Sequence, residues 1–598
     1  MKNSGLTTMW CRAFMDELAR LGVGNITLAP GSRSTALVMA CARDDRFKIW
    51  THLDERCAGF FALGISKDSG TPCAVITTSG TAAANLFPAV VESYQSGIPL
   101  LLLTADRPTL LRDTDANQTI DQSNLYGSYV RNHFQVGEPT WRDLRRIRTI
   151  ACRAFWGTQG SHPGPVHVNL AFEKPLEPEQ IESRSSHMGE PEDSMGLDGR
   201  SGDKPFVAIA QDKRCVSSST VKEIQSLIEQ SKRGLIVAGG GLKTDGVAQE
   251  IHEFSKVTGF PIIADPLSGV RFGPNGKNLR ISKAHIICNN PRARELLKPD
   301  LVLRIGSAPV SETVCTFLQE HREVKQIVIS SGNNWGDYLA VSSHYISSDE
   351  ESLLSSLNDV VRGGKIDQRW GQDWARFDKA IEDIVVGNSN RYFEGNIVRL
   401  IEESMPSGAV LFISNSMPIR DLDVFGSSRT EALKVYGNRG ASGIDGIVST
   451  VAGITASRMG SLKDGECDSP VVAVLGDIAF CHDMNGLLAI AKYQLNVVIV
   501  VINNDGGGIF HKLPIRDYEP EFTSYFTVPH GLEFEATAEL YGIPYTKALN
   551  LSELTDIFSV LAIEKGPKIL EIQIDREANW RCRREIIDAA NNRIDELL

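Results

Sequence analysis

The run VVAVLGDIAF (471–480) carries five apolar residues into Gly476 and an acid, Asp477. A helix-patterned stretch follows, IAFCHDMNGLLAIAKYQL, and then a second apolar run, NVVIVVI, closed by Asn503, Asn504 and the NDGGG turn (504–508). Asp477 and Asn504 lie 27 residues apart, the interval of one βαβ unit. A right-handed crossover returns the second strand beside or near the first. A carboxylate, a side-chain amide and a carbonyl of the turn, that of Gly506, then offer three hard oxygens at one sheet edge. Phosphate oxygens and water complete an octahedron, the way Mg²⁺ is held beside a diphosphate. Gly–Asp is equally ordinary in a surface turn, so the elements around it must decide.

Those elements read as alternating strands and helices. From 1 to about 180 the apolar runs are NITLAP (25–30), CAVITT (73–78), PLLLLTA (99–105) and PVHVNL (165–170). Between them ERCAGFFALGISK (55–67) and TAAANLFPAVVESYQSG (81–97) have helical spacing. Near-continuous apolar strands alternating with helices predict parallel sheets covered on both faces. A second block holds GLIVAGGGLK, FPIIADP, DLVLRIGSAPV and QIVISS; a third holds AVLFISNS, VVAVLGD, NVVIVVINND and PKILEIQID. The expected fold is α/β, three successive doubly wound parallel-sheet domains. Their spans are 1–180, 205–360 and 361–598, with a polar linker at 181–204. The first and third look like relatives, without a detectable sequence repeat.

Composition narrows the class. A chain of 598 residues exceeds one core, and 42% apolar with 23% charged residues is ordinary for a globular protein. A net charge of −12 argues against nucleic acid as a partner. The eleven cysteines are scattered without a CxxC pair, which points to a reducing cytoplasm rather than a disulfide framework. The opening stretch (1–22) reads as an amphipathic helix and not a signal peptide. No run approaches the roughly 20 apolar residues of a membrane span.

The Gly–Asp and Asn-pair spacing resembles the thiamine-diphosphate signature, with Ile478 standing where that signature commonly has a third glycine. Such enzymes need a glutamate reaching N1′ of the cofactor's aminopyrimidine, where it promotes removal of the C2 proton. Glu55 of IWTHLDERCAGFFALGISK (49–67), after a strand and at a helix start, is the candidate. By itself such an acid would only favour the helix dipole.

A more specific resemblance rests on PGSRS (30–34), THLDERCAGFFALG (51–64), TTSGTAAANLFPAVVES (77–93), LTADRP (103–108), ANQTIDQ (116–122), SNSMPIRD (414–421) and GNRGASGIDG (437–446). Together they resemble the 2-succinyl-5-enolpyruvyl-6-hydroxy-3-cyclohexene-1-carboxylate (SEPHCHC) synthase family of menaquinone biosynthesis. The match covers the first and third domains well and the middle one loosely. It implies thiamine diphosphate with Mg²⁺ or Mn²⁺, 2-oxoglutarate as donor and isochorismate as acceptor of a decarboxylated four-carbon unit.

Both substrates are dicarboxylates, which arginine grips bidentately. By resemblance Ser32, Arg33, Arg107, Asn117, Gln118 and Arg439 hold isochorismate, and Ser416 and Arg420 take the distal carboxylate from 2-oxoglutarate. Ile444 is the wedge that bends the cofactor, and Ser416, Gly476, Asp477, Asn504 and Gly506 bind it. Ile509, Phe510 and Leu513 form the substrate wall. The resemblance also implies a homodimer or dimer of dimers, with the cofactor between the first domain of one subunit and the third of another.

One departure stands out. Where the family commonly has a Lys–Arg pair, GSAPVSETV (306–314) reads Glu312–Thr313. An unpaired, desolvated acid there would repel a dianion, so another cation must substitute, with Arg304, Arg271 and Lys283 as candidates, or the acceptor is held differently. Three other readings stand beside this one. They are a different thiamine-diphosphate carboligase or decarboxylase, a catalytically silent cofactor-binding subunit, and a dinucleotide enzyme built on VAGGGLK (237–243). That last glycine run lacks a G-x-G-x-x-G and an acidic ribose partner, and reads as a structural loop.

Overall fold

In a computed structural model the apolar runs become strands of three six-stranded sheets. The structure describes residues 3–140, 143–160, 162–178, 194–210, 214–242, 245–274, 279–332, 335–362, 367–459 and 468–598. The first sheet holds β1 (Asn25–Leu28), β2 (Lys48–Thr51), β3 (Cys73–Thr77), β4 (Leu100–Asp106), β5 (Asn132–Val136) and β6 (Pro165–Ala171), in the order β2-β1-β3-β4-β6-β5. The second holds β7 (Gly234–Ala238), β8 (Ile262–Ala264), β9 (Arg280–Ile281), β10 (Leu301–Ile305), β11 (Lys325–Ser330) and β12 (His344–Ser347), ordered β12-β11-β10-β7-β8-β9. The third holds β13 (Ala409–Ile413), β14 (Leu433–Tyr436), β15 (Val471–Gly476), β16 (Val497–Asn503), β17 (Tyr545–Ala548) and β18 (Lys568–Gln573), ordered β14-β13-β15-β16-β18-β17.

Every neighbouring pair in the first sheet is parallel. The same holds in the second and the third. The first and third share one strand order, so the kinship suspected from sequence is one of topology. The middle sheet has the order of the dinucleotide-binding fold.

The helices used below are α1 (Asn3–Arg20), α2 (Glu55–Ser69), α3 (Phe87–Ser96), α4 (Glu312–Glu320), α5 (Glu394–Ser404), α6 (Met417–Phe425), α7 (Ile447–Arg458), α8 (Asp477–His482) and α9 (Arg576–Leu597). The chain divides into two units. One comprises Met1–Asp212, Asn438–Ser461 and His482–Leu495; the other comprises Lys213–Gly437, Leu462–Cys481 and Asn496–Leu598.

In the first unit Trp10, Phe14 and Leu18 of α1 pack with Ala74, Leu101 and Val168 of the sheet. Helices α2 and α7 meet backbone to backbone: a Cβ on Gly64 would sit 2.1 Å from the Thr450 carbonyl oxygen, and one on Gly453 2.0 Å from that of Phe61. Of the stretch read as a linker, residues 181–193 lie outside the described residues. From Ser194 on, buried Arg148 donates to the carbonyls of Gly196 (2.8 Å) and Leu197 (2.7 Å).

In the second unit the glycine run after β7 is packed against the turn after β10. Ser307 N–H donates to the Gly240 carbonyl (3.0 Å), and a Cβ on Gly239 would lie 1.8 Å from the Ser307 carbonyl oxygen. The glycines there serve a backbone-to-backbone contact. Among the described residues, no helix is long and apolar enough to cross a membrane.

Candidate active site

In the second unit β13, β15 and β16 lie side by side, and Ser416, Asp477 and Asn504 each follow one carboxyl end. Asp477 is 2% exposed, so Gly476–Asp477 is no surface turn. Its Oδ2 accepts the N–H groups of Asn504 (3.1 Å) and Gly506 (2.9 Å), and its Oδ1 accepts that of Ile478 (2.7 Å). Ile478 therefore meets Asp477 through a backbone bond that any residue but proline can make. Gly506 has φ +124°, and a Cβ there would lie 2.0 Å from the Thr527 carbonyl oxygen, which admits only glycine. The Gly506 carbonyl is not free, as the sequence suggests, but accepts the Gly508 N–H (2.9 Å). A carbonyl oxygen has two lone pairs, and one remains.

Asn504 supplies the most telling atom. Its Nδ2 donates to Glu394 Oε1 (2.8 Å), while its buried Oδ1 has no hydrogen-bond partner among the described residues. An orphaned buried acceptor costs about 1–3 kcal/mol, and hard oxygens are what Mg²⁺ takes. Burial first, and the Asp477 charge in addition, push the Glu394 carboxyl above its ordinary range. A cation at this acid pair would relieve that, so the donor set fits a divalent metal.

Two contributors to this centre escape sequence reasoning. Glu394, 2% exposed, opens α5. His530 accepts the Leu532 N–H on Nδ1 (2.9 Å), so its proton sits on Nε2, which donates to Asp477 Oδ2 at 3.2 Å. Neither stands at a spacing that a motif records.

Ser416 has φ +72° and ψ −127°, a conformation costly for a non-glycine residue and concentrated at functional sites. Arg420 on α6 donates to its carbonyl (2.6 Å). Burial lowers the pKa of Arg420 and of Lys512, which Arg420 lowers further, while Glu312 and Asp423 act in the opposite sense on both. Glu312 thus acts electrostatically on two cations from the exposed first turn of α4, behind the Ser311 cap. Lys512, inside GGGIFHKLP, is a cation that sequence reasoning missed. Ile509 and Phe510 are half-buried and Leu513 is 48% exposed.

The three cations suggested from sequence as substitutes are committed elsewhere. Arg271 donates to the carbonyls of Asp423 and Gly426 (both 3.1 Å). Lys283 donates to that of Gly426 (2.6 Å) and pairs with Glu382 (3.1 Å). Arg304 pairs with Asp337 (3.1 Å). All three are buried, and a buried cation must be matched locally.

In the first unit the sites again follow strand ends. Asp54 caps α2 by accepting the N–H groups of Arg56 and Cys57, which starts the helix at Glu55 just after β2. Asn85 Nδ2 donates to Glu55 Oε2 at 3.2 Å. Ser32 and Arg33 follow β1; Ser32 is exposed, and buried Arg33 donates to the Phe172 carbonyl (2.7 Å). Arg107 follows β4 and donates to Ser79 Oγ and to the Gln118 carbonyl (2.6 Å). Gln118 returns Nε2–H to the Ser79 carbonyl (2.9 Å), with exposed Asn117 beside it. Burial, then the charge of Arg107, lower the Arg33 pKa, with Asp106 acting in the opposite sense.

Arg439 and Ile444 lie on the segment that leads into α7. Glu92 of α3, 4% exposed, grips this segment, accepting the N–H groups of Gly440 (3.0 Å) and Ala441 (2.7 Å). Lys67 stands 4.0 Å from Glu92 and donates to Asn438 Oδ1 at 2.9 Å.

Comparison with known proteins adds an independent finding. Residues 11–125 match the family model described as "Thiamine pyrophosphate enzyme, N-terminal TPP binding domain". Residues 200–413 match "Middle domain of thiamine pyrophosphate", and 438–572 match "Thiamine pyrophosphate enzyme, C-terminal TPP binding domain". A 2-succinyl-5-enolpyruvyl-6-hydroxy-3-cyclohexene-1-carboxylate synthase of Haloarcula marismortui is 39% identical, covering 98% of each chain. One from Roseiflexus sp. (strain RS-1) is 38% identical over 97% of each. The crystal structure of benzoylformate decarboxylase from Polynucleobacter necessarius superposes with a TM-score of 0.68 at 17% identity, over 95% of this chain and 98% of that one. The last likeness is one of fold.

Proposed function

This chain belongs to the 2-succinyl-5-enolpyruvyl-6-hydroxy-3-cyclohexene-1-carboxylate synthase family of thiamine pyrophosphate enzymes, and from that premise we propose how its residues divide the work. The activity is a decarboxylating transfer in menaquinone biosynthesis. 2-Oxoglutarate loses CO₂, and its remaining four-carbon unit adds 1,4 to isochorismate. Thiamine diphosphate, when bound, supplies the electron sink for that decarboxylation.

The protein's share is binding, orientation and one proton. Asp477 and Asn504, with the remaining lone pair of the Gly506 carbonyl, would hold Mg²⁺ or Mn²⁺ and through it the diphosphate; Gly476 allows close approach. Glu55, oriented by Asn85, would supply a proton-holding carboxyl to the cofactor's aminopyrimidine, and Ile444 would pack against the cofactor as the apolar wedge. Ser416 and Arg420 take the distal carboxylate of the donor. Ser32, Arg33, Arg107, Asn117, Gln118 and Arg439 receive the acceptor, whose negative charges match the cationic field of Arg33 and Arg107. Ile509, Phe510 and Leu513 wall the substrate off. A cytoplasmic homodimer, or a dimer of dimers, is the assembly this reading entails.

The observation that carries the reading is the unpartnered, buried Oδ1 of Asn504 beside the buried Asp477 carboxylate. The test is isochorismate consumption by the purified protein with 2-oxoglutarate, thiamine diphosphate and Mg²⁺, omitting each in turn. Loss that requires all three is expected. Turnover independent of thiamine diphosphate or of the metal would sink the proposal.

A further inference from the structure

An amide ligand has two ends, and only one can face a cation. If the Asn504 amide were rotated by half a turn, its NH₂ would meet the metal and the site would repel the ion it must hold. Something has to choose between the two orientations, and we infer that Glu394 does so. It is a positioning residue whose carboxyl takes the amide nitrogen of Asn504 and leaves the amide oxygen for the metal. The inference rests on the metal-site reading above.

The geometry is specific. Asn504 Nδ2 donates to Glu394 Oε1 at 2.8 Å, and both side chains are buried. A carboxylate has acceptors only, so it pairs with the NH₂ end and with no other. Glu394 is itself fixed. As the first residue of α5 it donates its backbone N–H to Asn579 Oδ1 (2.9 Å). Asn579 lies on α9, where Arg583, buried and in the field of Glu394, pairs with Asp421 of α6. Three elements distant in sequence thus converge to hold one acceptor behind one amide. The cost is a buried carboxyl close to the Asp477 charge, and a merely structural position would be filled more cheaply by an apolar side chain.

The test uses the full chain and Mn²⁺ as the probe, titrated by electron paramagnetic resonance with thiamine diphosphate present. Glu394→Met is expected to raise the Mn²⁺ Kd about 10- to 100-fold, the range for outer-shell partners of metal ligands. Glu394→Gln, which still offers Oε1 to the amide, should stay within a few-fold of the parent. Adding Asn504→Asp to Glu394→Met should restore affinity, because a carboxylate has no wrong end. An unchanged Kd in Glu394→Met, or no rescue by Asn504→Asp, overturns the inference. If Glu394→Met does not fold, Glu394→Asp withdraws the acceptor by one methylene: a raised Kd is expected there, and an unchanged one overturns the inference. Asp477→Ala separates the two levels of the argument. If it loses Mn²⁺ while Glu394→Met keeps it, only the positioning role fails; if it keeps Mn²⁺, the metal-site reading fails and this inference with it.

Discussion

Glu92→Gln should loosen the Arg439–Ile444 segment by weakening the carboxylate grip on its backbone. The parent carboxylate gives one oxygen to each of two backbone N–H groups, Gly440 at 3.0 Å and Ala441 at 2.7 Å. Ser96 Oγ also donates to it at 2.7 Å. A glutamine keeps one acceptor and turns its NH₂ onto the other backbone donor. The loss of one bond to a charged acceptor is worth about 1.5–3 kcal/mol. Lys67 also loses its counter-charge. At 4.0 Å, with Asn438 retained as acceptor, that adds roughly 1 kcal/mol, below the ~3–5 kcal/mol of fully breaking a buried pair. The sum is about 2.5–4 kcal/mol. Expressed as local opening, it should speed hydrogen exchange at Gly440 and Ala441 by roughly 70- to 1000-fold. Thiamine diphosphate affinity should fall in parallel, because Ile444 rides on the same segment. Exchange at the parental rate in a folded Glu92→Gln protein would refute the reasoning, since the charge would then be holding nothing.

Three further outcomes are expected. Glu55→Gln should lower kcat by about 10²- to 10⁴-fold, the usual worth of a positioned acid–base group, while Mn²⁺ affinity stays near the parent's. A matching loss of cofactor affinity would make Glu55 structural. Arg107→Ala should raise the isochorismate KM by roughly 10- to 150-fold, the equivalent of one charged bond, with Arg107→Lys between; an unchanged KM removes Arg107 from the acceptor site. Asp483, buried against Cys57 and Ser449, has its carboxyl pushed up to about 6 from 3.8, chiefly by burial. The folded state then holds this proton in a range where the unfolded state has released it. The associated stability is present below about pH 4 and is lost as pH rises to about 6. Asp483→Asn should therefore gain thermal stability over the parent progressively across that window and by a constant margin above it. A margin independent of pH would contradict the raised value.

The four apolar runs read in each domain are the four central strands of each sheet. All six edge strands, β2, β5, β9, β12, β14 and β17, lack such a signal, although β2 was implied by placing Glu55 after a strand. The reason is physical. A central strand of a parallel sheet is covered on both faces and must be apolar throughout, as in LLLLTAD or VVIVVIN. The edge strands NHFQV and HYIS are partly exposed and carry polar residues that hide the pattern.

The same logic divides the site. Asp477 and Asn504 were legible because one βαβ unit fixes their spacing. Glu394 lies 110 residues upstream of Asn504, and no local periodicity announces a partner delivered by tertiary packing. Arg271, Lys283 and Arg304 misled for a related reason. Charge was visible in the sequence, and the carbonyls and carboxylates that already claim it were not.

The crossing of α2 and α7 has a mechanical consequence. Where Gly64 and Gly453 press main chain on main chain, no rotamer stands between the helices to absorb a displacement. Glu55 begins one helix and Ile444 lies three residues before the other, so a nearly incompressible joint helps to fix their separation. Hydrostatic pressure, which shrinks proteins by squeezing voids, finds little to squeeze at this joint. The spacing between Glu55 and Ile444 should therefore hold under compression that already distorts looser parts of the molecule.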